Sequence, residues 1–113
     1  EQVFKTLVAT GDKTGTVVFV IPGNEELNLK KAASSSGNKK IEMIKVKDLL
    51  SLTGYIRGGC SPIGMTKKYP TYIEETSQLF EKIYVSSGVR GMQMLISPSD
   101  LVSVTEAEYA NLI

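Results

Sequence analysis

An α+β domain built on a mixed, largely antiparallel sheet with peripheral helices is the fold class this chain predicts. Three observations carry it. The chain has 113 residues, the size of one domain, and 42% of them are hydrophobic, enough for a core. Two β-rich runs flank a Gly-Asp-Lys-Thr-Gly turn near the start of the sequence. After them, short apolar segments of strand and helix length alternate with hairpin-like spacing rather than a strict βαβ rhythm.

Each element has a local cause. Residues 3–10 and 16–21 are rich in β-branched and apolar side chains and predict two strands, with Gly11 to Gly15 as the turn that makes them a hairpin. Pro22-Gly23-Asn24 breaks the pattern. A short helix follows over 27–36, with Leu29, Ala32 and Ala33 on one face and Gly37-Asn38 as its stop. Residues 41–44 form a short strand. Residues 46–52 are helical, with Leu49 and Leu50 turned inward and Gly54 after the end. Strands are expected at 71–73, 83–85 and 92–96, with a short helix or turn at 77–82. Ser97 suits an N-cap and Pro98 the first helical position, so a helical turn starts there. Thr105-Glu106-Ala107-Glu108 has the spacing of a capping box and predicts a terminal helix. No repeat or linker-like tract interrupts the chain, so 1–113 is read as a single domain.

Composition excludes several chemistries. Thirteen basic and twelve acidic residues leave a net charge of +1. A nucleic-acid partner would therefore have to be met by a local patch rather than a global field. There is no histidine. That removes Ser-His-Asp and Cys-His nucleophile systems and His-based zinc sites, and one cysteine builds neither a thiolate metal site nor an internal disulfide. No metal and no cofactor is expected. The lone cysteine fits a reducing, cytoplasmic compartment. No apolar run approaches the roughly 18 residues of a membrane-spanning helix. A hydrolase of this composition would have to work with Lys, Ser or Thr, carboxylates, backbone N–H groups or the substrate's own groups.

Three segments concentrate such groups. The first is Gly58-Gly59-Cys60-Ser61-Pro62-Ile63-Gly64. Glycine stands where φ is positive or where another molecule approaches the backbone, and Pro62 stiffens the loop. Bare N–H groups on a stiff loop can hold an oxyanion or a sugar-phosphate; the same residues can also simply turn a corner. Cys60 reads as a nucleophile or as a small apolar filler, and no histidine or carboxylate stands beside it to activate a thiol. The second segment, Val3-Phe4-Lys5-Thr6-Leu7-Val8, puts one lysine in an apolar strand. Lys5 shares a face with Val3, Leu7 and Ala9, and Thr6 takes the opposite one. A charge there is paired, turned into a cavity or snorkelled to water. The third, Tyr84-Val85-Ser86-Ser87-Gly88-Val89-Arg90-Gly91, ends an apolar run in a polar loop. Its serines can bind a ligand or satisfy their own turn, and Arg90 can meet phosphate or water. Lys67-Lys68 follows the first loop directly and is the basic pair best placed for phosphate. Lys30-Lys31, Lys39-Lys40, Lys45 and Lys47 read as solvated faces.

In this order the three segments resemble the YbaK/EbsC family of aminoacyl-tRNA deacylases, the free-standing relatives of the editing domain inserted in bacterial prolyl-tRNA synthetase. The resemblance runs from Gln2 to the C-terminus. It rests on Lys5 with Thr6, on the Gly-x-x-x-Pro spacing of Gly58 to Pro62, and on Ser86-Ser87-Gly88 followed by Arg90-Gly91. It implies a curled, barrel-like sheet with the site in a pocket on one side. It implies Lys5, Gly58 and Ser86 as the catalytic set. Thr6, Gly59, Cys60, Ser61, Pro62, Ser87, Gly88, Arg90 and Gly91 are then expected as substrate contacts, with Lys67 and Lys68 meeting tRNA phosphate. The implied substrate is tRNA(Pro) carrying Cys or Ala, cleaved at the aminoacyl ester, with prolyl-tRNA synthetase as a partner and no membrane. In the cysteinyl case the substrate's own thiol is the family's nucleophile. Gln93 departs from the family, many of whose cysteinyl-specific members have Asp there, so the choice between Cys and Ala stays open. A non-catalytic module that binds tRNA or a synthetase is the reading from another class. Family members also carry an N-terminal helix-and-strand segment with no counterpart here, so the sequence is expected to be part of a longer protein.

Overall fold

Two apolar strands set the sheet. β1 (Phe4–Gly11) and β2 (Gly15–Pro22) pair antiparallel along their whole length, from Phe4 opposite Pro22 to Gly11 opposite Gly15. The chain is described over residues 2–113 in a computed structural model. β3 (Ile41–Met43) adds antiparallel to β1, opposite Ala9, Thr10 and Gly11 only. β4 (Thr71–Glu74) lies parallel to β2, and β7 (Glu108–Ala110) parallel to β4, giving the order β3-β1-β2-β4-β7. β5 (Ile83–Ser86) and β6 (Gln93–Ile96) form a separate antiparallel hairpin. A single parallel bridge, Val3 to Tyr84, joins it to the main sheet. The helices are α1 (Leu29–Ser36), α2 (Val46–Thr53) and α3 (Pro98–Thr105).

β2 is the middle strand and is covered on both faces, which is why residues 17–21 are apolar at every position and fully buried. Strand alternation divides its neighbours. Val17, Phe19 and Ile21 pack with Ala9, with Ala32 and Ala33 of α1, and with Leu112. On the other face Val20 packs with Phe4, Ile73, Ile83, Val85 and Leu101. Val18 joins Val8 and Cys60, with Leu49 and Tyr55 half-buried against them. The loop after α2 and the β5–β6 hairpin therefore sit on the same face of the sheet.

The hairpin, the Gly37 and Gly54 helix stops and the Ser97 cap of α3 stand where the sequence puts them; both glycines take positive φ, and Ser97 accepts from the Asp100 N–H. Three expectations are corrected. The terminal helix does not form. Thr105 donates its hydroxyl back to Leu101 O, and Glu106 adopts the left-handed conformation that ends α3. The apparent capping box is thus a helix exit, and the residues after it enter the sheet as β7. Leu50 is 57% exposed, because a neighbour of the half-buried Leu49 lies about 100° around a helix of 3.6 residues per turn. Leu29, also exposed, lines a groove with Leu27 and Met43 instead of packing inward. The sheet is mixed and largely antiparallel, as expected; within it the β2–β4 and β4–β7 ladders are parallel. The parallel partners come from distant parts of the chain, which hairpin spacing cannot reveal.

Candidate active site

Among the described residues, no strand pairs with the outer edge of β1 from Phe4 to Leu7. β3 covers that edge only from Ala9 onward, and the bridge to Tyr84 covers it only at Val3. A cleft of about 480 Å³ opens at the gap, within the range of small-molecule sites. Its walls are Val3, Phe4, Lys5, Thr6 and Leu7 from the β1 segment, Arg57, Gly58 and Cys60 from the loop after α2, and Ser86, Gly91, Met92 and Gln93 from the hairpin. The three segments singled out in the sequence thus meet in one cavity.

Lys5 leaves β1 on the α1 face, opposite Ile21, and Thr6 leaves on the other, opposite Val20. Lys5 is nonetheless among the residues that line the cleft. It also lines a second groove, of about 300 Å³, with Leu7, Glu26, Leu27, Leu29 and Met43. Among the described residues the half-buried Lys5 ammonium has no hydrogen-bond or ion-pair partner. A cation so placed attracts a polar or anionic ligand. Thr6 Oγ1 is buried with no hydrogen-bond partner among the described residues, an orphaned hydroxyl within the cleft wall.

The loop after α2 begins with a tight turn. The Gly59 N–H donates to Ile56 O at 2.9 Å, and Gly58 has φ +85°, the signature of a type II turn with Arg57 and Gly58 at its centre. The hairpin loop presses on it from outside. Arg90 Nε and Nη2 both donate to Arg57 O, at 3.2 and 3.0 Å. A Cβ on Gly59 would lie 2.9 Å from the Arg90 backbone nitrogen, closer than real side chains come. Tyr55 braces the other end: its hydroxyl donates to Ile63 O at 2.5 Å, and its ring lies where a side chain on Gly88 would stand. These glycines are therefore required by loop-on-loop packing as well as by the turn.

Several expected substrate contacts turn out to hold the loops. Ser61 Oγ accepts from the Ile63 N–H, and Ser87 donates to Met92 O. Gly59, Ser61, Pro62, Ser87, Gly88 and Arg90 do not line the cleft. Ser86 does, while its hydroxyl accepts from the Gly88 N–H at 3.2 Å, and Gln93 stands opposite it across the hairpin. Burial pushes the Cys60 thiol up, against a smaller opposing hydrogen bond from Thr53, which keeps the sulfur protonated at neutral pH and suits a wall better than a nucleophile. Lys67 and Lys68 line a different, smaller pocket with Pro62, Tyr69 and Thr105, and Lys68 pairs with the Glu106 carboxylate. Besides Lys5, the cation that lines the cleft is Arg57. Sequence reasoning passed over it, although it directly precedes Gly58.

Residues 1–104 match the model of the aminoacyl-tRNA editing domain. A proposed Cys-tRNA(Pro)/Cys-tRNA(Cys) deacylase of Enterococcus faecalis, EbsC, is 57% identical over 111 residues, covering 98% of this chain and 68% of that protein. A proline–tRNA ligase of Shouchella clausii is 29% identical over 91 residues, 80% of this chain but 16% of the ligase. A crystal structure described as a proposed trans-editing enzyme for prolyl tRNA synthetase superposes with a TM-score of 0.91 at 28% identity, over 98% of this chain and 69% of that one.

Proposed function

The chain belongs to the aminoacyl-tRNA editing domain family, and on that premise we propose that it is a trans-editing deacylase that cleaves the aminoacyl ester of mischarged Cys-tRNA(Pro). The observation that carries this reading is the cleft at the uncovered edge of β1, which is lined together by a lysine with no partner among the described residues, a glycine turn and a serine loop. Lys5 and the Gly58 backbone position and polarise the ester carbonyl, and Ser86 orients the ribose or the aminoacyl group. Thr6, Cys60 and Gly91 shape the walls. Such a site works by orientation and electrostatics and needs no histidine base. For a cysteinyl substrate, the substrate sulfur bonds to the ester carbonyl carbon, and the bond from that carbon to the ribose oxygen breaks. The thiol proton ends on that oxygen, and a thiolactone is released. Arg57, at the cleft wall, is the cation placed to meet phosphate of the tRNA acceptor end. Prolyl-tRNA synthetase is the partner this reading implies; the synthetase named for the solved relative and the ligase among the sequence relatives support it.

The test is deacylation of Cys-tRNA(Pro) and Ala-tRNA(Pro), with and without the synthetase, and with Lys5→Ala as control. Loss of the cysteinyl ester that requires Lys5 is the expected result. Preference for Ala-tRNA(Pro) would assign the sister specificity, with water as nucleophile. Tight binding of either substrate with no turnover would make the protein a binding module. Turnover retained in Lys5→Ala would remove Lys5 from the mechanism.

A further inference from the structure

Arg90 donates twice to a single carbonyl, that of Arg57, and this carbonyl belongs to the central peptide of the type II turn. The other end of the same planar unit is the Gly58 N–H. In a trans peptide the two groups point in opposite directions, so fixing one aims the other. Among the described residues the Gly58 N–H makes no hydrogen bond, and Gly58 lines the cleft. Turns of this kind have one soft motion, rotation of the central peptide into the type I arrangement, which would reverse that N–H. Gly58, with no Cβ, offers little resistance to it. Two guanidinium donors on Arg57 O oppose the rotation, and they also polarise the peptide so that its N–H becomes a better donor.

We infer that Arg90 is a positioning residue: it locks the Arg57–Gly58 peptide so that the Gly58 N–H faces the scissile ester, and it does not itself contact tRNA phosphate. The inference rests on the deacylase reading for its consequence but not for its geometry. Charge alone does not make the brace; the planar fork of Arg90, with two donors on one carbonyl, does. Lys, a point charge with no fork, is therefore no substitute.

Two measurements on the full chain separate the two levels. Amide hydrogen exchange reads the brace without any substrate. In Arg90→Ala and in Arg90→Lys, exchange at Gly59, whose N–H closes the turn on Ile56 O, should accelerate while the β1–β2 ladder keeps its protection; unchanged exchange at Gly59 overturns the brace. Kinetics on Cys-tRNA(Pro) then read the role. Both variants should lose kcat by about 100-fold, the scale of a misplaced catalytic group. Their KM and salt dependence should stay those of the wild type, and added guanidinium should restore part of the rate to Arg90→Ala. A raised KM, a shallower salt dependence and full activity of Arg90→Lys would make Arg90 a phosphate contact and overturn the inference. If the wild-type protein turns over no aminoacyl-tRNA, the deacylase reading fails, and the exchange result alone decides whether Arg90 locks the turn.

Discussion

Gly58 carries two constraints at once. Its φ of +85° lies in the left-handed region, and a Cβ there would stand 3.3 Å from Arg90 Nε. Gly58→Ala is expected to cost about 1–2 kcal/mol from the backbone alone, and to lower kcat as the turn shifts against Arg90. Urea unfolding and deacylation kinetics, taken together, check this: a variant with lowered stability and unchanged kcat would detach the turn from catalysis. Cys60→Ala should behave oppositely, keeping turnover, because the sulfur is buried wall with a raised pKa. A thiol-alkylating reagent should leave Cys60 nearly unmodified at pH 7, and rapid labelling there would contradict that assignment. That Lys5, Gly58 and Ser86 would line one cleft was legible in the sequence because each is an anomaly in its own segment. The Arg90 contact was not, since its partner carbonyl lies 33 residues away, and nothing local marks a guanidinium as a brace rather than a phosphate ligand. That Lys67 and Lys68 line a separate pocket was hidden for the same reason: adjacency to a loop in sequence does not fix which side of it a chain returns on.

Among the elements, the end of the chain was the least readable. The letters Thr-Glu-Ala-Glu suit a helix start, yet Ala107 is buried, Glu108 exposed and Tyr109 half-buried, an alternation of period two that belongs to a strand. What recruits this segment is Glu74, a carboxylate only 1% exposed at the end of β4. Its two oxygens accept from the Thr76 N–H at 2.9 Å and the Leu112 N–H at 2.7 Å, so one buried side chain closes the 3-10 turn Glu75–Leu79 and clamps the C-terminal residues. No sequence pattern announces a carboxylate that binds backbone 38 residues on. In Glu74→Gln one of the two acceptors becomes an NH₂ group facing a donor. The variant should lose about 1–3 kcal/mol, with the loss of amide protection concentrated at Leu112 and β7. Protection lost evenly over the whole sheet would mean that Glu74 acts on global stability and not as a clamp. The β1–β2 hairpin, by contrast, was plain from its β-branched runs and glycine turn, because all of its determinants lie within 20 residues of each other.

At the scale of the whole molecule, near-neutral net charge leaves pH dependence to a few groups whose surroundings differ between folded and unfolded chains. On the acid side, the Lys40 N–H, then that of Lys39, hydrogen-bonds the Asp12 carboxylate and holds it below its ordinary 3.8, tying the β1–β2 turn to the segment before β3. Its contribution is present above pH 3.8 and is lost as pH falls through the lower folded value. On the alkaline side, burial raises Cys60 above 9.0, and raises Tyr72 and Tyr109 above 10.0; Glu108 adds to the shift at Tyr72. The fold thus favours the protonated form of all three. Below pH 9 they are protonated in both states, and their contribution is whole. As pH climbs past 9.0 and then 10.0 the unfolded chain releases its protons first, so stability falls until the folded groups ionise as well. These three groups touch different parts of the core: Cys60 lies with Val8 and Val18 under the cleft, Tyr72 stacks on Phe19 on the α1 face, and Tyr109 packs against the cluster around Val20 and Ile73. The fold should accordingly be most stable between about pH 5 and 9, with Tm declining above that range in two stages. Cys60→Ala should remove the earlier stage and leave the later one. A Tm that stays flat from pH 8 to 11, or a first stage that survives Cys60→Ala, would show that the buried thiol does not couple to folding, and would reopen its assignment as a protonated wall of the cleft.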